Sequence, residues 1–188
     1  ITAYSAVLMN PWNKKVVYSK NPHVKLAPAS TTKIMTALVV LNKSSLDKHV
    51  TVSRAATWMP PSRVDIKKGE AYTTEDLLKA ALLNSGNDAT AALAESVAGS
   101  EKEFVKLMND TAKRIGAKAT NFTTSNGLPA KNQYSTAYDM ALIVREAVKN
   151  EKLVEILKTR AAQITEIQTG RKIQLRNHNK SLWLEAPY

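Results

Sequence analysis

A serine and a lysine three residues apart, Ser30-Thr31-Thr32-Lys33, open an apolar run. At a helix start, positions three apart share a face, so the amine can reach the hydroxyl. A lysine takes a proton from a serine only while it is itself neutral. Its reference pKa is about 10.4, so being half neutral near pH 7 needs a fall of roughly 3 units, or about 4–5 kcal/mol. Burial and nearby positive charge supply such shifts. The segment that follows, Ile34 to Leu41, is apolar on nearly every side and provides the burial. The spacing alone is weak, because a chain with 13 serines and 20 lysines is expected to contain such a pair by chance. A second pair, Ser45-Leu46-Asp47-Lys48, lies in a polar connector where its lysine stays charged and solvated.

Ser85-Gly86-Asn87 falls in the break between two helical segments. There a hydroxyl can relay a proton to a leaving group, and a carboxamide can hold a substrate carbonyl. The plainer account makes Asn87 a helix cap and Gly86 a helix stop, and on spacing alone it is the better one, since Ser19-Lys20-Asn21 repeats the pattern. A Lys-Thr-Gly strand is the usual companion of these two pieces, and the chain has none. Gln168-Thr169-Gly170 is the nearest string and reads as a turn. His23, His49 and His178 are isolated and show no metal-ligand spacing. No glycine-rich phosphate loop occurs. Trp12, Trp58 and Trp183 are expected to be packing residues.

The elements that must position these groups follow from periodicity and caps. Residues 3–9 and 15–19 form a hairpin about Asn10-Pro11-Trp12-Asn13. A buried helix covers Ile34–Leu41, and residues 49–72 are irregular. Thr73 with Asp76 caps a helix to about Leu83, and Asn87-Asp88 caps an alanine-rich one ending near Gly99. Ser100 with Glu103 opens another to Gly116, and Thr136 with Asp139 one more to about Asn150. Residues 164–168 and 172–176 alternate as strands about a turn at 169–171. Strands, then helices, then strands argue for an α+β fold with a helical block inserted into an antiparallel sheet.

The 188 residues suit one domain or a large part of one, and 44% are hydrophobic, enough for a core. There is no cysteine, which excludes disulfides, thiolate metal sites and cysteine nucleophiles. The net charge of +11 is scattered along the chain. It favours polyanions in general without choosing among nucleic acid, anionic lipid and acidic wall polymer, and no basic-aromatic nucleic-acid motif accompanies it.

Longer strings carry a resemblance. Ala27-Pro28-Ala29-Ser30-Thr31-Thr32-Lys33-Ile34-Met35-Thr36-Ala37-Leu38 resembles the nucleophile segment of the serine D-alanyl-D-alanine carboxypeptidases, the low-molecular-weight penicillin-binding proteins of peptidase family S11. Leu82-Leu83-Asn84-Ser85-Gly86-Asn87-Asp88-Ala89 resembles the family's second motif. Its central glycine favours this family over class A β-lactamases, which usually carry Ser-Asp-Asn. Residues 121–128, 134–141 and 176–183 resemble further family segments in the family's order. Many members have histidine where this chain has Asn126, so no role is carried onto that position.

The resemblance implies a DD-peptidase/β-lactamase-like fold and a two-step acyl transfer on peptidoglycan stem peptides ending in D-Ala-D-Ala. Ser30 would be the nucleophile, Lys33 the general base and Ser85 the proton relay to the departing D-alanine. Asn87 would hold the peptide and position Lys33. It implies acylation by β-lactams, no metal or organic cofactor, no nucleic-acid partner, and an extracytoplasmic location, with any C-terminal membrane anchor beyond Tyr188. It also implies that residues 1–188 are an incomplete catalytic domain. The returning core strands, including Lys-Thr-Gly, would be supplied by a continuation or by a separate clipped chain, and this segment alone would be inactive or nearly so. Rival readings are a β-lactamase of the same fold, a non-catalytic cell-wall-binding fragment and, on composition alone, a basic nucleic-acid binder.

Overall fold

A computed structural model describes residues 1–184. The first hairpin pairs β1 (Ala6–Met9) with β2 (Val16–Lys20). A 3₁₀ turn at Ala29–Thr31 leads directly into α1 (Thr32–Lys43), whose residues Met35–Val40 are buried. The stretch expected to be irregular contains β3 (His49–Thr51), the one-turn α2 (Arg54–Thr57) and β4 (Ala71–Thr73), with β3 and β4 antiparallel. Three-residue strands are too short to show an alternation, which is why the sequence hid them.

The helical block follows as α3 (Thr74–Leu83), α4 (Asn87–Ala98), α5 (Glu101–Ile115) and α6 (Ala137–Ala147). Thr73, Ser100 and Thr136 cap α3, α5 and α6, each accepting from the N–H three residues on at 3.0–3.2 Å. The acid of each expected box turns elsewhere: Asp76 accepts from Thr165 N at 3.5 Å, Asp139 accepts from Ala119 N at 2.7 Å, and Glu103 pairs with Lys106. The start of α4 departs from expectation. Its N-cap is Gly86 with no side-chain bond, because Asn87 and Asp88 are engaged by other segments.

A further helix, α7 (Glu151–Lys158), follows α6 where the sequence predicts no element. Asn150 is its N-cap, accepting from Leu153 N at 3.0 Å, rather than the end of α6. Leu153 and Ile156, three apart, bury one face. The second hairpin pairs β5 (Ala161–Thr165) with β6 (Lys172–Arg176). The first of these strands lies three residues earlier than the expected 164–168, because Glu166 turns inward and begins the turn. Its N–H bonds Arg171 O at 2.8 Å, and its buried carboxylate accepts from Ala71, Gln168 and Thr169 N–H. These bonds hold that carboxyl down at about 2. Gln168-Thr169-Gly170 is a turn, as read.

The architecture is α+β, with three two-stranded antiparallel ladders around the helices among the described residues. α4 is the central helix, packed against α1, α3 and α5. Its alanines let the neighbours approach closely, and residues 87–94 are buried. The tryptophans are not core residues. Trp12 is 84% and Trp58 68% exposed, and Trp183 lies at the surface with Arg176 over its ring. All three sit on turns at the surface, with Arg54 over the Trp58 ring, while aliphatic residues and Phe104, Phe122 and Tyr72 fill the interior. Among the described residues no helix is long and apolar enough to cross a membrane.

Candidate active site

Ser30 lies in the 3₁₀ turn and Lys33 one turn on in α1, so their three-residue spacing becomes a shared face. Lys33 Nζ is 3.2 Å from Ser30 Oγ. Ser85 Oγ donates to Ser30 Oγ at 2.9 Å from the other side. Lys33 Nζ also donates to Asn87 Oδ1 at 2.8 Å, and Asn87 Nδ2 donates to Pro60 O at 2.9 Å. All four residues named from the sequence therefore meet at one point. Ser45 is elsewhere: it lies in the connector before β3, where neighbouring Lys48 bonds Ser96 O at the surface.

Backbone conformation sets these positions. Ala29, just before Ser30, has φ +46°, and Ser85 has φ +57°. Non-glycine residues enter this left-handed region at a cost of about 1–2 kcal/mol each, and such costs concentrate at functional sites. Gly86 is a tight fit, since a Cβ there would lie 3.1 Å from Asp88 Oδ1 and 3.2 Å from Ala80 O.

The third acceptor of Lys33 lies outside the motifs the sequence offers. It is the backbone carbonyl of Asn126, at 2.9 Å. The Asn126 side chain is occupied locally, accepting from Leu128 N at 3.0 Å and reaching Met59 Sδ at 3.6 Å. A backbone oxygen leaves no mark in residue identity. The only available signal was the neighbouring Gly127, whose φ of +87° and contact with Ala29 bring the segment against α1.

Lys33 is 2% exposed, and all three of its partners are neutral oxygens. Burial lowers its pKa to about 8. About one amine in ten is then neutral at pH 7, against fewer than one in a thousand for a solvated lysine. Ser30 is exposed at the mouth of the site, while Lys33 is sealed beneath it. That combination suits a nucleophile that must meet a substrate. Among the described residues no group of three or more His, Asp or Glu side chains could hold a metal ion.

The sequence profile of the D-alanyl-D-alanine carboxypeptidases, peptidase family S11, matches residues 1–188. The chain belongs to this family. The D-alanyl-D-alanine carboxypeptidase DacF of Bacillus subtilis is 40% identical over 183 residues, covering 95% of this chain and 47% of the relative. DacC of Escherichia coli is 38% identical over 194 residues, again covering 47% of the relative. The chain thus spans about half the length of the curated carboxypeptidases it matches. Among solved structures, a Mycobacterium tuberculosis D-alanyl-D-alanine carboxypeptidase superposes with TM-score 0.91 at 31% identity, covering 96% of this chain and 68% of that one. A Streptomyces K15 DD-transpeptidase mutant gives 0.89 at 32% identity, covering 97% and 76%. The DD-peptidase fold expected from the motifs is the fold observed, and this carboxypeptidase-family chain places the family's first two motifs in contact.

Proposed function

We propose that the protein is a serine-type D-alanyl-D-alanine carboxypeptidase acting on peptidoglycan stem peptides, with Ser30, Lys33, Ser85 and Asn87 in the roles the motifs imply. The observation that carries this reading is the continuous hydrogen-bond path Ser85–Ser30–Lys33, at 2.9 and 3.2 Å, ending on a buried amine whose pKa is lowered to about 8.

Ser30 Oγ attacks the carbonyl carbon of the penultimate D-alanine while its proton passes to Lys33. The tetrahedral adduct collapses, the C–N bond breaks, and the terminal D-alanine leaves with a proton delivered through Ser85. Water, activated by the same lysine, cleaves the ester and restores Ser30. An amine in place of water would give transpeptidation. A β-lactam enters by the same attack, but its leaving nitrogen stays tethered, so the acyl-enzyme persists. The substrate places the enzyme outside the cytoplasmic membrane, where a net charge of +11 favours anionic wall polymer and lipid.

The test is intact-mass analysis of the full-length protein with benzylpenicillin, followed by peptide mapping. A penicilloyl adduct on Ser30, absent from Ser30→Ala, together with release of D-alanine from a stem peptide, is the expected result. Rapid penicillin turnover without a lasting adduct would overturn it in favour of a β-lactamase.

A further inference from the structure

Asp88 is fully buried directly after Asn87, and the reaction above does not use it. Its carboxylate does not reach the lysine. One oxygen accepts from Val64 N at 3.1 Å and Ala89 N at 2.9 Å, and the other from Val64 N at 3.1 Å and Ile66 N at 3.3 Å. Two of these donors belong to the segment between α2 and β4. The same segment bonds α4 twice more, Asn87 N donating to Ser62 O at 2.8 Å and Asn87 Nδ2 to Pro60 O at 2.9 Å. The Asp88 carboxylate thus anchors the segment at Val64 and Ile66, and the segment in turn holds the Asn87 carboxamide.

An amide has two ends, and their chemistry decides what Asn87 does. With Nδ2 on Pro60 O, only Oδ1 is left to face Lys33 Nζ, at 2.8 Å. If the carbonyl of Pro60 moved, either end of the carboxamide could turn to the amine, and an NH₂ group there would repel it. The same segment also helps to close the lysine in. Met59 Sδ lies 3.6 Å from the Asn126 side chain, and the Asn126 carbonyl is the third acceptor.

We propose that Asp88 is a positioning residue for the acylation step: by holding Val64 and Ile66 it fixes Pro60, which orients the Asn87 carboxamide and keeps water from Lys33. The inference rests on the acyl-transfer reading given above. The groups in contact with the lysine are Ser30 on the 3₁₀ turn, Asn87 on α4 and the Asn126 carbonyl, all neutral. The nearby carboxylates are both turned away, Asp88 to the 64–66 segment and Glu101 at the start of α5 to Ser125 N and Oγ at 2.9 and 2.8 Å. Loosening the segment therefore hydrates the amine, and hydration moves its proton affinity back toward that of a solvated lysine.

The experiment measures the second-order rate of acylation by a chromogenic cephalosporin between pH 5.5 and 10, on the full-length protein and its Asp88→Asn and Asp88→Glu variants, with melting temperatures alongside. Leu153→Ala, in the buried face of α7, serves as a destabilised control. Asp88→Asn keeps the shape but presents an NH₂ to backbone donors. Its acid limb is expected to move up by about one pH unit, a tenfold loss at pH 7 that is recovered at higher pH. Leu153→Ala should lower the melting temperature and leave the limb in place. Asp88→Glu, which retains a carboxylate, should shift the limb less than Asp88→Asn, and it carries the test if Asp88→Asn does not fold. A limb unmoved in both Asp88 variants, whatever their melting temperatures, overturns the proposal. Absence of acylation in the unmutated protein overturns the acyl-transfer reading itself, and this inference with it.

Discussion

Gly127 packs on Ala29 so closely that a Cβ at position 127 would lie 1.8 Å from the Ala29 carbonyl oxygen. It would also lie 3.0 Å from Thr32 Oγ1, a buried hydroxyl with no hydrogen-bond partner among the described residues. The contact joins the segment carrying the Asn126 carbonyl to the residue just before Ser30. Gly127→Ala must move one or both. Overpacking costs roughly 1–3 kcal/mol, and the φ of +87° adds about 1 more. The expected outcome is a lower melting temperature together with a fall in the acylation rate of at least tenfold. A fully active, equally stable Gly127→Ala protein would show that the two segments are not coupled.

Lys33 predicts the pH dependence. Its pKa is lowered to about 8 in the folded protein, so the reactive neutral amine grows tenfold per pH unit below that value. Acylation should rise with pH and level off above about 8. Lys33→Arg keeps the charge and cannot shed a proton. It should remove the limb and lower the rate by about 10²–10⁴-fold, the usual contribution of a general base. Stopped-flow acylation across pH checks both.

Asn87→Asp is nearly isosteric but places a carboxylate where Oδ1 now lies, 2.8 Å from the amine. An opposite charge at that distance favours the charged lysine and raises its pKa by about 1–3 units. The acid limb should therefore move up, with at least a tenfold loss at pH 7. An unchanged limb would separate Asn87 from the protonation of Lys33.

Glu166 governs acid stability. Its carboxyl titrates at about 2 in the fold because backbone N–H groups of Ala71, Thr169 and Gln168 and the Thr169 hydroxyl favour the ionised form. An unfolded glutamate titrates near 4.3. The depressed value means that stabilisation is complete above about 4.3 and is lost as pH falls toward about 2. Glu166→Gln should melt lower at neutral pH, and its melting temperature should fall less steeply than that of the unmutated protein across that acid range.

The legible parts of the molecule were those with a local cause. Thr73, Ser100 and Thr136 announced three helices because a cap is made within four residues. Ser30 and Lys33 announced a shared face because helical spacing makes one. The misread parts depend on distant partners. Asn87 and Asp88 looked like caps, but a segment more than twenty residues earlier claims both side chains. The strand before the second turn slipped because Glu166 answers to Ala71. The Asn126 carbonyl leaves no mark in residue identity, since every residue has one, and only the neighbouring Gly127 hints at it. The tryptophans mislead because size suggests burial, whereas on surface turns Trp12 is open to water and Trp58 and Trp183 are covered only by an arginine side chain.

The three oxygens around Lys33 also decide which way its lone pair can point. As an ammonium, the group spends its three hydrogens on Ser30, Asn87 and Asn126. Once a proton is gone, one of those contacts must reverse, with the nitrogen becoming the acceptor. The oxygens of Asn87 and Asn126 are carbonyls and have no hydrogen to offer. Only the hydroxyl of Ser30 can turn from acceptor to donor, while still accepting from Ser85. The neutral amine thus has a single satisfied orientation, with its electron pair on the serine hydrogen, so deprotonating the lysine also aims it.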